Sequence, residues 1–235
     1  GFTGSRYGAI KDLDASTEEF TLKNDRSFTF AIDKLDNDET ARQLAAASAL
    51  ARQVKEKVVQ KVDSYTYGVM CSSAGTRPAA VALDATNIFD EILKANNALD
   101  NAEVPETGRI LVVTPDIYTT MKRSKDIIME TDIAEDMRLR GGIAMMDGAT
   151  VIKVPAVRLP ENFGFMLAHP CATVAPTKLE DYKVHEDPPG ISGSLVEGRI
   201  CYDAFVLDNK VKVIYYQEQT AKTAAKADSG TQETK

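Results

Sequence analysis

The sequence predicts an α+β protein that contains one unusually long helix. Apolar residues recur at three- and four-residue steps over residues 37–69, which is the period of a helix. Short alternating or unbroken apolar runs stand before and after this stretch, as is typical of strands. Hydrophobic residues make up 43% of the 235-residue chain and charged residues 27%, the ordinary mixture for one large or two small globular domains.

The first predicted element is a strand at the end of an extended arm. Every second residue of 28–32 is a phenylalanine or an isoleucine, with smaller or polar residues between them, which predicts a half-buried strand. Phe20 and Leu22 precede it, before the turn-like pair Asn24-Asp25. We therefore interpret residues 16–32 as the returning arm of a long hairpin.

The long helix has its own start and stop signals. Asp36 is a favourable N-cap and Glu39 stands three residues later, which is a variant of the capping box. The helix is predicted from 37 to 69, a rod of roughly 50 Å at about 1.5 Å per residue. Its middle is rich in alanine, so a neighbour can pack close, and Gly75 and Pro78 end it.

Two further helices flank a short buried strand. The first helix is predicted from 84 or 86 to 98. The unbroken apolar run 110–113 predicts a strand that is buried on both faces. Thr114-Pro115-Asp116 follows at once and supplies an N-cap, a proline at the first helical position and an acid in the first turn. A helix to about 122 is therefore expected, with a further helical stretch over 125–140.

The second half of the chain is predicted to consist mainly of strands. Asp147-Gly148 stands between the runs that begin at Gly141 and Ala149, which indicates a hairpin with a tight turn. The apolar runs 163–168 and 172–175 predict two more strands.

The chain is predicted to end with a hairpin and a polar tail. Residues 186–194 contain the Gly, Pro and Ser residues of a loop. Two apolar runs, 199–207 and 211–217, are joined by the turn 208–210 and predict the closing hairpin. The tail, 219–235, has too few apolar residues to fold, so we expect it to be flexible.

Motifs for catalysis or cofactor binding do not occur in the sequence. It has no P-loop and no G-x-G-x-x-G string. The stretch 190–194 lacks the second glycine of a hydrolase elbow and is better explained as a loop. The only two histidines, His169 and His185, have no partner at helical spacing. We therefore expect no catalytic residue and no cofactor.

Acidic and cysteine residues do not indicate a bound metal. An EF-hand loop that begins at Asp33 would need glycine at its sixth position and glutamate at its twelfth, where the sequence has Asp38 and Leu44, so helix capping explains the acidic cluster 33–39. Cys71, Cys171 and Cys201 are far apart and odd in number, which favours free thiols over a disulfide framework or a zinc site.

Charge and hydropathy exclude several further classes of function. The net charge of −7 argues against a protein whose main task is wrapping nucleic acid, although a wall around DNA need not be basic. No apolar run is long enough to span a bilayer, and the first residues lack the pattern of a signal peptide. We therefore expect no membrane association.

The order of these features resembles the major capsid proteins of tailed bacteriophages, the Hong Kong 97-type family that includes the encapsulins. Four stretches carry the resemblance, in the order of the family, and together they cover roughly residues 17–217. They are the passage from strand to long helix (25–40), a strand with a helix start (109–115), a glycine-containing hairpin (141–152) and the last apolar runs (199–207 and 210–215).

The resemblance implies a Hong Kong 97-type fold with a long spine helix and two domains. It places residues 1–32 in the returning part of an extended loop and 219–235 in the tail. Residues 33–83 and 188–218 would form a peripheral domain, and residues 84–187 an axial domain.

The resemblance also implies a structural role and no enzymatic activity. Hexamers and pentamers of the chain would close into an icosahedral shell around phage double-stranded DNA, with scaffolding and portal proteins as further partners. The protein is then expected in the virion, after synthesis in the cytoplasm of a bacterial host. Phe2, Phe20 and Leu22 are candidates for docking on a neighbouring subunit, although Phe20 and Leu22 fit packing on the chain's own sheet equally well.

One departure from the family concerns the N-terminus. Only about 32 residues precede the spine helix, and the first residue is not Met. We therefore expect a processed, trimmed or tagged chain without the N-terminal arm and the outgoing half of the loop. The Lys–Asn cross-link of the type member is not carried over, because no motif places it here.

Three alternatives stay open on the sequence alone. An encapsulin-type compartment would enclose cargo protein in place of DNA. A phage tail or adaptor protein would form rings or tubes but no closed shells. A hydrolase would depend on His169 or His185.

Overall fold

The structure is a computed structural model, and it describes residues 18–35, 45–125, 127, 143 and 145–220. Several predicted features lie outside these residues. They are Phe2, the Asp36 cap with Glu39, nearly all of the helical stretch 125–140, the start of the strand at Gly141 and most of the tail. The described residues form one long helix, two shorter helices and three sheets.

The predicted first strand is confirmed, and it belongs to a three-stranded antiparallel sheet. β1 (Asn24–Asp33) pairs with β8 (Gly193–Tyr202), which pairs in turn with β7 (Thr177–Glu186). Alternate residues of β1 from Phe28 to Ile32 are half-buried, as the pattern predicted. The strand β7 was not predicted, because its mixture of charged and apolar residues lacks a strict period of two.

A glycine at the centre of β8 lets two aromatic rings approach each other. Gly198 pairs with Phe28 on one side and Tyr182 on the other. The ring centroids of Phe28 and Tyr182 are 6.2 Å apart. A Cβ atom at Gly198 would lie 2.3 Å from the Phe28 ring and 2.9 Å from the Tyr182 ring. The two rings therefore cover this glycine and occupy the space of its missing side chain.

The long helix consists of three consecutive segments, α1 (Ala46–Gln53), a π-helical segment (Val54–Val58) and α2 (Val59–Ser72). It ends at Ser72, beyond the predicted end at 69, so Gly68 is accommodated within its last turns. The π-helical segment was not predicted, since the apolar spacing does not reveal one extra residue in a turn.

The main core surrounds a five-stranded sheet with the order β10-β5-β2-β4-β3. Its strands are β2 (Ile110–Val113), β3 (Met145–Met146), β4 (Ala149–Lys153), β5 (Phe163–Ala168) and β10 (Ile214–Glu218). All six residues of β5 are buried. The helices α3 (Ile88–Asn101) and α4 (Pro115–Arg123) contribute buried residues to the same core.

Two local signals of the sequence are confirmed in this core. The Thr114 hydroxyl oxygen accepts a hydrogen bond from the backbone N–H of Ile117 at 3.3 Å, and Pro115 begins α4. Asp147 and Gly148 both have positive φ angles, 46° and 75°, and join β3 to β4 as a two-residue hairpin turn.

The predicted closing hairpin is wrong, because its two halves belong to different sheets. The run 199–207 contains the end of β8 and a short strand, β9 (Phe205–Val206), which pairs with β6 (Thr173–Val174). A 3₁₀ helix follows at Asp208–Val213, and β10 pairs with β5. β10 is buried at four consecutive residues, and it lies beside β5, all of whose residues are buried as well.

Two strands therefore pair with a strand that belongs to the other predicted domain. β7 falls within 84–187 but pairs with β8, and β10 falls within 188–218 but pairs with β5. The described residues also extend slightly into the predicted tail. The backbone N–H groups of Gln219 and Thr220 donate to carbonyl oxygens of Asn162 and Val81.

Candidate inter-subunit surface

The arm that precedes β1 packs on its own chain with part of its apolar surface. The rings of Phe20 and Phe205 are stacked, with centroids 4.5 Å apart and an interplanar angle of 21°. Phe20 nevertheless keeps 39% of its surface exposed, and Leu22 is half-buried. The contact with Phe205 leaves one side of Phe20 available, so docking of Phe20 and Leu22 on a neighbour stays a prediction.

A buried carboxylate, Asp203, holds the base of this arm. It accepts hydrogen bonds from the Lys23 backbone N–H at 2.9 Å, the Tyr65 hydroxyl at 2.8 Å and the Ala204 N–H at 2.8 Å. Burial pushes the pKa of Asp203 upward, but these donors outweigh it, and the net pKa lies below its ordinary value. The hydrogen bond that the Tyr65 hydroxyl donates to Asp203 also raises the pKa of Tyr65.

Asp203 therefore ties the arm, the long helix and the end of β8 together at one point. Sequence reasoning missed this residue. The available signal was a lone acid within the apolar run 199–207, where a buried charge requires several hydrogen-bond donors.

The other residues that the structure describes cover the long helix only in part. α1 and the π-helical segment contain no buried residue, and Cys71 is the only buried one in α2. Val59 is exposed, although it lies in the most apolar part of the helix. A helix of this length gains stability mainly by packing its apolar face, so the uncovered surface is suited to contact with another chain.

The described residues form at least two grooves that border the long helix. The larger, of about 350 Å³, lies between α2 and the five-stranded sheet, and its apolar walls include Val62, Met70 and Ile152. An ion pair between Asp63 and Arg158, 3.0 Å long, lies at its edge beside Val157, which is 94% exposed. The smaller, of about 200 Å³, lies between the helix, β1 and β8.

A buried arginine organises the far end of the five-stranded sheet. The Arg109 side chain is 3% exposed, and its guanidinium pairs with the Asp100 carboxylate at 2.7 Å. It also donates hydrogen bonds to three oxygens, those of the Asn96 amide, the Val104 carbonyl and the Pro105 carbonyl, at 3.0, 2.6 and 3.0 Å. Asn96 in turn donates to the backbone carbonyl of Asp147, so one network fixes α3, the loop before β2 and the β3–β4 turn.

The two histidines make local contacts. His169 Nδ1 accepts the Cys171 backbone N–H at 3.2 Å, and Nε2 lies 3.1 Å from the Thr107 carbonyl oxygen, so both ring nitrogens are engaged by the backbone. His185 lies 3.4 Å from Glu197 on an exposed face.

The thiol of Cys71 is unreactive, and the described residues form no cluster of metal ligands. The pKa of Cys71 is raised to about 12 by burial, so its thiol stays protonated at neutral pH. Within residues 18–35, 45–125 and 145–220, no three His, Cys, Asp or Glu side chains come close enough to hold a metal ion. Among the helices that the structure describes, none has the length and apolarity to cross a bilayer.

Comparison with known proteins places this fold among phage capsids. Residues 16–213 match the model of a family described as phage capsid protein. A comparison with curated protein sequences gave no match.

Solved structures of phage particles are similar to the chain at low sequence identity. A chain from Mycobacterium phage Che8 has a TM-score of 0.70 and 18% identity, with 87% of this chain and 76% of that chain covered. The capsid of cyanophage P-SCSP1u has a TM-score of 0.68 and 13% identity, with 92% of this chain and 81% of that chain covered. The mature capsid of bacteriophage PhiM1 has a TM-score of 0.65 and 14% identity, with 94% of this chain and 79% of that chain covered. At these identities the likeness shows a shared fold.

Proposed function

Because the chain belongs to the phage capsid protein family, we propose that its copies form the hexamers and pentamers of a closed icosahedral shell around double-stranded DNA. The chain is a structural capsid protein with a Hong Kong 97-type fold. The family match over 16–213 carries the proposal. Its physical basis is contact between unlike surfaces of identical chains, which generates rings where the rotation closes.

The two larger sheets suggest how the two domains are divided. The axial domain is built on the five-stranded sheet with α3 and α4, and the peripheral domain on the long helix with the three-stranded sheet. In this division β7 belongs to the peripheral domain and β10 to the axial domain, because each follows the sheet with which it pairs.

The arm before β1 is the contact that reaches a neighbouring subunit. Phe20 and Leu22 keep apolar surface exposed at its base, and Phe2 lies further along the same arm in the sequence. The Asp203 hydrogen bonds hold that base in a fixed position relative to the long helix. A fixed base reduces the entropy that is lost when the arm docks.

The remaining partners follow from the shell. Scaffolding and portal proteins act during assembly in the bacterial host cytoplasm, and DNA is enclosed without sequence readout. The protein works in the virion by surface complementarity and carries out no chemical step. The net charge of −7 is compatible with this role, since a container does not have to neutralise its contents.

Electron microscopy of the protein expressed from its complete gene, alone and with its scaffold, tests the proposal. We expect closed shells tens of nanometres across that contain nuclease-protected DNA when packaging proteins are present. Persistent monomers in both preparations would refute the shell. Open tubes or rings would support a tail or adaptor protein, and shells filled with protein would support an encapsulin-type compartment.

A further inference from the structure

The smaller groove beside the long helix combines an apolar floor with a basic rim. Its volume is about 200 Å³, below the roughly 300–1,000 Å³ of typical small-molecule sites, so it suits a single side chain of a partner. β1, the long helix and β8 provide its walls. The apolar lining is Phe28, Val58, Val62, Ile200 and Tyr202.

Three cations stand around this floor. Arg26, Lys57 and Lys61 line the groove and are all exposed. No ion pair joins any of them to another residue in the part of the chain that the structure describes. Three cations without an ion pair to any described residue, on a chain of net charge −7, favour an acidic partner, and the apolar floor favours a peptide over bare phosphate groups.

The chain itself contains one segment with the matching chemistry. Asp12-Leu13-Asp14 is the only place in the sequence where a large apolar residue stands directly between two acidic residues. In an extended segment neighbouring side chains alternate in direction, so Leu13 can enter a groove while Asp12 and Asp14 turn back toward its rim. One leucine and two carboxylates thus match one apolar groove and a rim of cations.

The direction of the arm favours a groove on a second copy. Going back from Asn24, the chain passes Asp203 and then contacts Phe205, so it leaves its own groove behind. Leu13 stands five residues before Glu18, a distance of at most about 18 Å for an extended chain. A return to its own groove would require the arm to reverse direction within this short stretch, whereas docking on a neighbour requires no reversal.

We infer that Asp12-Leu13-Asp14 of one copy docks in the groove formed by Arg26, Lys57 and Lys61 of a neighbouring copy. This inference rests on the proposed function, because it names the receiving site for the arm of the extended loop. Leu13 fills the apolar floor, and the two carboxylates pair with the cations of the rim.

The first test measures binding of a fluorescent peptide that spans residues 6–20 to the full chain, by anisotropy, at concentrations where sedimentation shows monomers. We expect saturable binding that Lys57→Glu/Lys61→Glu weakens at least about tenfold. The control Lys178→Glu/Lys210→Glu makes the same charge change at exposed lysines outside the groove and is expected to stay within about twofold of wild type. A peptide with Asp12→Lys and Asp14→Lys should regain binding to the groove variant. Equal binding to both protein variants, or no binding to wild type, would overturn the inference.

The second test decides which copy provides the groove. Leu13→Cys/Val58→Cys, in a Cys171→Ser background that removes the exposed native thiol, is oxidised and separated on a non-reducing gel. Disulfide-linked multimers that neither single cysteine variant forms are expected. A monomer with an internal disulfide would refute docking on a second copy. Peptide binding without closed shells in the microscope would refute only the shell proposal. Closed shells without peptide binding would refute only the docking of the arm in the groove.

Discussion

Removal of the Arg109 side chain is expected to destabilise the five-stranded sheet strongly. Arg109→Met keeps most of the apolar stem but deletes a guanidinium that contacts four oxygens. The effect is expected at the end of the sheet where α3, the loop before β2 and the β3–β4 turn meet. The network lies within one chain, so unfolding of the unassembled chain measures its contribution.

The magnitude follows from what the substitution leaves behind. The Asn96 amide oxygen and the Val104 carbonyl lose their donors in buried surroundings, and each orphaned acceptor costs about 1–3 kcal/mol. The Asp100 carboxylate is 52% exposed and is solvated by water, so the lost ion pair adds little. The two acceptors together cost about 2–6 kcal/mol, and the middle of this range, about 4 kcal/mol, corresponds to a decrease in Tm of roughly 8–16 °C for a chain of this size.

Urea and thermal unfolding of the unassembled chain, followed by circular dichroism, measure this decrease. Arg158→Met is the matched control, since Arg158 also pairs with an aspartate, Asp63, but its side chain is 29% exposed. The control is expected to cost less than about 1 kcal/mol. Equal destabilisation by the two substitutions would refute the view that burial of the acceptors, and not the ion pair itself, determines the effect.

Three further predictions concern the three-stranded sheet and the base of the arm. Phe28→Asp should lower the free energy of unfolding by at least about 3 kcal/mol, because a carboxylate would lie against Tyr182. An unchanged midpoint of urea unfolding would contradict this prediction. Gly198→Ala should cost about 1–3 kcal/mol in the same urea assay, since its Cβ collides with both rings. Because the pKa of Asp203 is lowered, its carboxylate stabilises the fold at any pH above the ordinary carboxyl pKa of 3.8. This stabilisation is lost as the pH falls through the lowered pKa. Asp203→Ala should therefore flatten the acid limb of a curve of stability against pH.

Local chemistry determined which elements the sequence could predict. The cap at Thr114 and the turn at Asp147-Gly148 depend on residues adjacent in the chain, and both are confirmed. The alternation in β1 and the apolar period of the long helix are local as well. Such features are set by backbone geometry and neighbouring side chains, so no knowledge of distant contacts is needed.

Pairing between distant strands could not be predicted in this way. The runs 199–207 and 211–217 look like a hairpin locally, but β10 pairs with β5, about fifty residues earlier in the chain. β7 has a weak pattern of its own and is specified by β8 and by the Tyr182 ring over Gly198. Asp203 and Arg109 were missed as organising residues for the same reason, because their partners lie far away in the sequence or on backbone groups.

The distribution of burial along the long helix links the fold of the chain to its assembly. α2 packs against the main core through Cys71, whereas α1 and the π-helical segment bury no residue. α1 contacts β7 and β8 but is at most half-buried there, so the first half of the long helix gains less stability from packing within its own chain than α2 does. The smaller groove borders this half, with Lys57 and Val58 in its wall. A neighbour's arm that docks there would therefore cover the part of the helix that is least stabilised within its own subunit, and assembly would complete the folding of the helix as well as join two subunits.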